Sequence, residues 1–251
     1  MSDIISKMNK NLARALKNHK YLVFMDFEGT QFSHEMIAIG AVCVLIDPKT
    51  GRIKKRKQPF RIYVKAKNKI GKYVSDLTGI TETLLKDKGV SFDSAMKALK
   101  KYVGINFKKA TFITFGNHDI RILNQSIAYN LVYPKDVTSQ IQKNYFDYMS
   151  FISEFIRDEN GNPLSLVHNC ELFGLKEAGK AHDPEIDAIN LANLYDAFLE
   201  NVDLVCEEYK KHLNKHNNSL PFPIAKALKK LTNGENVTAA EFEEYIKEYL
   251  K

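Results

Sequence analysis

Five residues, spread through a chain of 251, have the types and spacings for metal-assisted acid–base chemistry. Asp26 and Glu28 lie one residue apart in the apolar run "VFMDFEGTQ", Val23 to Gln31. In a strand, successive side chains point to opposite faces, so these two carboxylates share one face while Met25 and Phe27 share the other. Anions that close need a proton or a cation to offset their repulsion, and hard oxygen ligands at this spacing suit Mg²⁺ or Mn²⁺. A strand end whose polar face is simply wet is the other reading of an isolated D-x-E. Asp119 lies in "GNHD", between an expected strand, "ATFITFG", and an expected helix, "IRILNQSIAYN". Ligands gather at the carboxyl ends of strands in α/β proteins, although an Asp at such a junction also serves as a helix cap. The last pair comes from "KAHDPEIDAINLANLYDAFL". With Asp183 as N-cap and Pro184 at the first helical position, His182 falls just outside the helix and Asp187 in its first turns. Asp187 is then held rigidly, as a metal ligand should be, while His182 sits on a loop able to approach a substrate and leave it. A surface histidine beside an ordinary capped helix would show the same pattern.

The elements that must position these groups are legible in outline. A basic helix is expected over residues 1–20. "YLVFMDFE" and "MIAIGAVCVLI" read as buried strands, the second ending at the turn "DPKTGR", and "PFRIYV" completes a meander. Two helices are expected next, one after Thr81 and one capped near Ser91 or Asp93 that runs through "SAMKALKKYV". "LSLVHNCELFG" reads as a helix closed by Gly174. From Asn201 onward the pattern is helical, and "TAAE" at Thr238 to Glu241 is a capping box with Val237 and Phe242 as its hydrophobic staple. The domain plan is therefore a basic helix over 1–20, a catalytic domain over 21–200 and a helical extension over 201–251.

Composition narrows the class of protein. A hydrophobic content of 44% with 27% charged residues describes a soluble globular chain, and no apolar run approaches the roughly 20 residues that cross a bilayer. The N-terminus lacks the apolar stretch and cleavage site of a secretory signal. Cys43, Cys170 and Cys206 are far apart with no CxxC spacing, which excludes a zinc site and fits a reducing, cytoplasmic compartment. The net charge of +7 permits a polyanionic partner. From Lys49 to Lys72 the chain has eleven basic residues and no acidic one. Two readings of that bias stand level, a solvated edge protected by lysines and a phosphate-facing patch.

D-x-E on a first strand, Asp after a middle strand and H-x-x-x-x-D opening a late helix together resemble the DEDDh family of 3′-to-5′ exonucleases in the ribonuclease H-like superfamily. The resemblance spans Tyr21 to Leu199 and includes "SDLTGIT", Ser75 to Thr81. It implies an α/β fold, a mixed β-sheet flanked by helices, with helical N- and C-terminal additions. It implies Asp26, Glu28, Asp119 and Asp187 as ligands of two divalent metal ions, Mg²⁺ or Mn²⁺, with Asp26 bridging both. It also implies His182 as general base, for a catalytic set of His182, Asp26, Glu28, Asp119 and Asp187. The implied partner is single-stranded nucleic acid with a 3′ end, hydrolysed to nucleoside 5′-monophosphates. "MDFEGT", "HEMIAIGAV" and "FGNHD" look most like the branch that trims small or structured RNAs, including histone-mRNA-type exonucleases, so RNA is favoured. Proofreading subunits acting on DNA share the same five residues, and a non-catalytic nucleic-acid-binding module is the third class. Two departures stand out. Ile186 occupies a position where many relatives carry a further Asp, and Asp183 beside His182 is positioned to raise the imidazole pKa.

Overall fold

The computed structural model describes residues 10–176, 178–179, 182–215 and 220–250. Helix α1 (Lys10–Ala15) leads into strand β1 (Tyr21–Gly29), β2 (Met36–Ile46), β3 (Ile53–Arg56) and β4 (Phe60–Tyr63). Helices α2 (Lys72–Thr78), α3 (Glu82–Lys88) and α4 (Phe92–Val103) follow, then β5 (Ala110–Thr114), α5 (His118–Tyr129), α6 (Lys135–Lys143) and β6 (Tyr145–Asp147). After α7 (Tyr148–Ile152) come α8 (Leu166–Leu172), α9 (Pro184–Glu200), α10 (Val202–Lys215), α11 (Phe222–Thr232) and α12 (Ala239–Tyr249). Of the basic helix expected over 1–20, residues 1–9 lie outside the described residues.

The chain divides into two compact units. One runs to Phe151 and resumes over Ser165–Glu200; the other joins Ile152–Leu164 to the segment from Asn201 onward. In the first, the six strands found among the described residues form one sheet of order β3-β2-β1-β5-β6, with β4 also pairing β2. β1 and β2 are antiparallel, whereas β5 runs parallel to β1 and β6 parallel to β5, so the sheet is mixed. β2 is an almost wholly buried apolar run, and β1 is buried and apolar over Leu22–Met25 before Asp26 and Glu28 interrupt it, as expected of strands covered on both faces.

The two faces of β1 are covered by different helices. Val23, Met25 and Phe27 pack into a core with Met96 and Leu99 of α4. On the opposite face the Phe24 ring packs against Tyr195 of α9, tilted by 56° with centroids 5.3 Å apart. An aromatic pair of this kind contributes about 0.5–1.5 kcal/mol beyond its buried area. Asp26 and Glu28 share the parity of Phe24, so α9 lies on the carboxylate face. Gly40 of β2 stands directly opposite Asp26. A Cβ added at Gly40 would lie 1.8 Å from the Pro184 carbonyl oxygen. The first turn of α9 therefore rests on bare β2 backbone, a contact that glycine alone permits.

Among the expected helices, α3 is capped by Thr81, α4 by Ser91 and α8 by Ser165, each through its side-chain oxygen. Gly174 has φ +64° just past α8, as expected of a helix-closing glycine. In the second unit Thr238 and Glu241 form the reciprocal capping box that starts α12. Among the described residues, no helix is long and apolar enough to cross a membrane.

Candidate active site

Pairing of β1 with β5 ends at Phe24 and Ile113, so Asp26 and Glu28 project beyond the last residue that β5 supports. The Phe27 N–H lies past that point and donates instead to Asp119 Oδ1, at 2.7 Å. Asp119 is not the helix cap that its position allowed, because Asn117 occupies the cap of α5 and Asp119 is buried in the first turn. The carboxylate at the end of β5 thus fixes the strand that carries the other two.

Asp187 enters from α9. Its Oδ2 accepts the His182 N–H at 3.0 Å, which ties the loop before the helix to the helix itself. His182 adopts φ +62°, a left-handed conformation unusual for a side-chain-bearing residue. Polar atoms of Glu28, His182 and Asp187 all lie within 4.8 Å of one another, a spacing that one metal ion could span. All five residues singled out by the sequence line a single cleft of about 410 Å³. An adjoining hollow of about 320 Å³ shares Asp26, His182 and Asp187 with the start of α8.

Asp183 caps α9 through the Glu185 N–H, at 3.1 Å. Its second oxygen faces the Arg61 guanidinium at 2.5 Å. Arg61 therefore partly neutralises the carboxylate that the sequence placed beside the imidazole. Ile186, at the position of the additional Asp in many relatives, packs against Gly179 in the loop preceding His182.

The electrostatics of the cleft are dominated by like charge. Burial, followed by the charges of Asp119, Glu28, Asp187 and Asp183, pushes the Asp26 carboxyl well above the usual range. Burial and then Asp187, Asp119 and Asp183 push Glu28 up to about 8. Asp119 rises to about 7, chiefly through burial and despite the Phe27 hydrogen bond that favours its ionised form. None of the described residues lining the cleft is Lys or Arg. Carboxylates held this close without a cationic side chain are a donor set that divalent cations fit, since such ions supply the missing charge and accept oxygen ligands.

Several lining residues had no counterpart in the sequence reading. His34, with φ +50°, and His118 meet edge to face at 5.4 Å on the cleft wall. The rim is laced to α2: Gln31 N–H donates to the Ile70 carbonyl at 2.7 Å, and Tyr73 N–H to Gln31 Oε1 at 3.2 Å. Glu35, only 2% exposed, accepts from Lys67 N–H, Asn68 N–H and Asn68 Nδ2 through a single carboxylate oxygen. The one sequence signal for Glu35 was an acidic residue directly ahead of an entirely apolar strand. Phe32 is 81% exposed, whereas Phe27 belongs to the core.

A model of the exonuclease family RNase_T matches residues 23–195. A search of curated protein sequences returned no match. Among solved structures, the chain resembles a full-length 3′-exonuclease at 20% identity and TM-score 0.56, covering 73% of this chain but 62% of that one. It resembles the nuclease domain of 3′hExo, a DEDDh family member bound to rAMP, at 21% identity and TM-score 0.58, covering 73% of this chain and 93% of that one. It is also similar to E. coli Exonuclease I in complex with a dA16 oligonucleotide, at 17% identity and TM-score 0.55, over 79% of this chain and 44% of that one. These likenesses establish the fold, and the family match extends over the whole segment that builds the cleft. The chain belongs to the RNase_T exonuclease family, and its fold is ribonuclease H-like.

Proposed function

We propose that the chain is a metal-dependent 3′-to-5′ exonuclease that shortens single-stranded nucleic acid, RNA ahead of DNA, and releases nucleoside 5′-monophosphates. The observation that carries this reading is the convergence of Asp26, Glu28, Asp119, Asp187 and His182 on one cleft. Asp26, Glu28, Asp119 and Asp187 would hold the divalent ions, Mg²⁺ or Mn²⁺, two by family resemblance. Bound there, such ions neutralise charge on the attacking and leaving oxygens of an in-line phosphoryl displacement. The protein's own groups do the rest. Asp119, in the first turn of α5, holds β1 through the Phe27 N–H and so fixes the strand carboxylates relative to its own. His182 accepts the proton of the attacking water at a ring nitrogen, and the hydrogen bond from its backbone to Asp187 positions the loop that carries it.

RNA preference follows the sequence resemblance to RNA-trimming members. Cys43 and Cys170, both buried, and the exposed Cys206 form no disulfide, which suits a reducing compartment such as the cytoplasm. The test is degradation of matched 3′-labelled and 5′-labelled RNA and DNA oligonucleotides with Mg²⁺, Mn²⁺ or EDTA. Metal-dependent shortening from the 3′ end, faster on RNA, is the expected result. Faster shortening of DNA would favour an editing role. Binding without cleavage would reduce the protein to a nucleic-acid-binding module.

A further inference from the structure

The basic bias between Lys49 and Lys72 resolves into two groups once its contacts are known. Arg52, Lys54 and Arg61 are engaged by carboxylates, those of Asp196, Asp47 and Asp183. The others are not. Lys57 donates to the carbonyls of Tyr102 and Val103, and Lys67 to the carbonyl of Tyr129, contacts that leave the positive charge uncompensated. Lys55, Lys65, Lys69 and Lys72 are exposed and make no ion pair among the described residues.

Their order along the sheet gives the group a direction. Lys55 of β3 stands opposite Leu45 of β2, and Tyr63 of β4 stands opposite Ala38. Ala38 in turn stands opposite Glu28 of β1. Passing from Lys55 to Lys65 therefore means travelling the length of β2 toward the carboxylate end, about 30 Å at ~3.4 Å per residue. Lys69 and Lys72 continue the line to α2, whose Tyr73 lines the cleft. Protection of a sheet edge explains the lysines on β3 but not Lys65, Lys69 and Lys72, which lie beyond any strand. Lys72 also sits in the first turn of α2, where the helix dipole disfavours a cation.

We infer that this edge is a phosphate track carrying the substrate strand on the 5′ side of the nucleotide in the cleft, gripping its backbone without reading its bases. The inference rests on the nucleic-acid reading of the cleft and is independent of whether the cleft hydrolyses. A 30 Å edge accommodates about nine stacked nucleotides at ~3.4 Å each. Long strands are then held by the edge as well as by the cleft, whereas a trinucleotide is held by the cleft alone.

The experiment compares 5′-fluorescein oligo(U) of 3 and 15 nucleotides on the full chain and on the Lys55→Gln/Lys65→Gln/Lys69→Gln/Lys72→Gln variant. Binding is followed by anisotropy in EDTA and hydrolysis in Mg²⁺, each from 50 to 200 mM salt. A second variant removes the same charge from the helical tail, at Lys210, Lys211, Lys226 and Lys247. For the 15-mer, the edge variant is expected to bind at least tenfold more weakly at 100 mM salt. Its log–log salt slope should be shallower by about 3, four contacts at ~0.7 each. The 3-mer should be hydrolysed at the wild-type rate. Loss of hydrolysis in every protein with the binding contrast retained would overturn the exonuclease reading and leave the track standing. Unchanged 15-mer binding, or equal weakening by the tail variant, would overturn the track while leaving the catalytic reading intact.

Discussion

Raising the pH should destabilise the metal-free protein, and a divalent cation should reverse that trend. Glu28 is pushed up to about 8 and Asp119 to about 7, and Asp26 lies well above the usual carboxylate range. In the unfolded chain all three are ionised by pH 6. At these three sites the folded protein binds more protons than the unfolded chain across pH 6–8, and their contribution to stability falls as pH rises through the folded pKa values. Burial holds the imidazoles of His19, His34 and His118 below their usual pKa, which opposes the trend below about pH 7. Each group that stays protonated only in the folded state contributes about 1.4 kcal/mol per pH unit. With Glu28 largely protonated and Asp119 about half so at pH 7, these two groups alone contribute a loss of about 2 kcal/mol per unit. For a domain of this size that corresponds to about 4–8 °C in Tm. Cations bind the deprotonated carboxylates, so with saturating Mg²⁺ the stability gained on binding should grow with pH. Thermal unfolding at pH 6, 7 and 8, in EDTA and in Mg²⁺, measures both slopes. Asp119→Asn keeps an oxygen for the Phe27 N–H and should flatten the EDTA slope. A metal-free Tm that is constant or rises from pH 7 to 8, where the imidazoles are neutral in both states, would refute the reasoning.

Three further outcomes follow from particular contacts. His182→Ala should leave the circular dichroism spectrum and Mg²⁺ binding near wild type while lowering turnover about 10²-fold or more, because the backbone bond to Asp187 survives; undiminished turnover contradicts the assigned role. Gly40→Ala places a methyl 1.8 Å from the Pro184 carbonyl oxygen and must shift the first turn of α9. It should cost about 1–3 kcal/mol in a urea melt and lower turnover at least tenfold, since a displacement of ~1 Å can cost 10²-fold. Glu35→Ala strands three N–H donors in the segment that links β4 to α2, whose Tyr73 lines the cleft. It should cost about 2–4 kcal/mol and raise KM more than it lowers kcat, with Glu35→Gln milder on both readouts.

How much the sequence discloses depends on how local each cause is. β1 and β2 are readable because long apolar runs leave no alternative to burial. β3, "IKKR", carries no apolar alternation, and it is a strand because β2 extends past the point where β4 stops pairing. Pro59, which has no N–H to give a ladder, falls between the two. β6 is three residues held by β5, and α2 is a single short element behind Gly71, so neither carries a periodic signal of its own. The residues of the site were legible, but the reasons for their assembly were not. Nothing near Asp119 in sequence shows that it satisfies an N–H of β1, and nothing near Gly40 shows that α9 rests there. The basic run was legible as a charge bias. Only the contacts separate lysines engaged by carboxylates from those left facing solvent.

The most direct test of the central claim is chromatographic identification of the products released from a single-stranded RNA by the wild type and by Asp26→Asn, each with Mg²⁺ and with EDTA. Nucleoside 5′-monophosphates released progressively from the 3′ end by the wild type with Mg²⁺, and by neither protein under the other conditions, are predicted. Equal release by Asp26→Asn, or cleavage by the wild type in EDTA, would contradict a reaction built on these carboxylates.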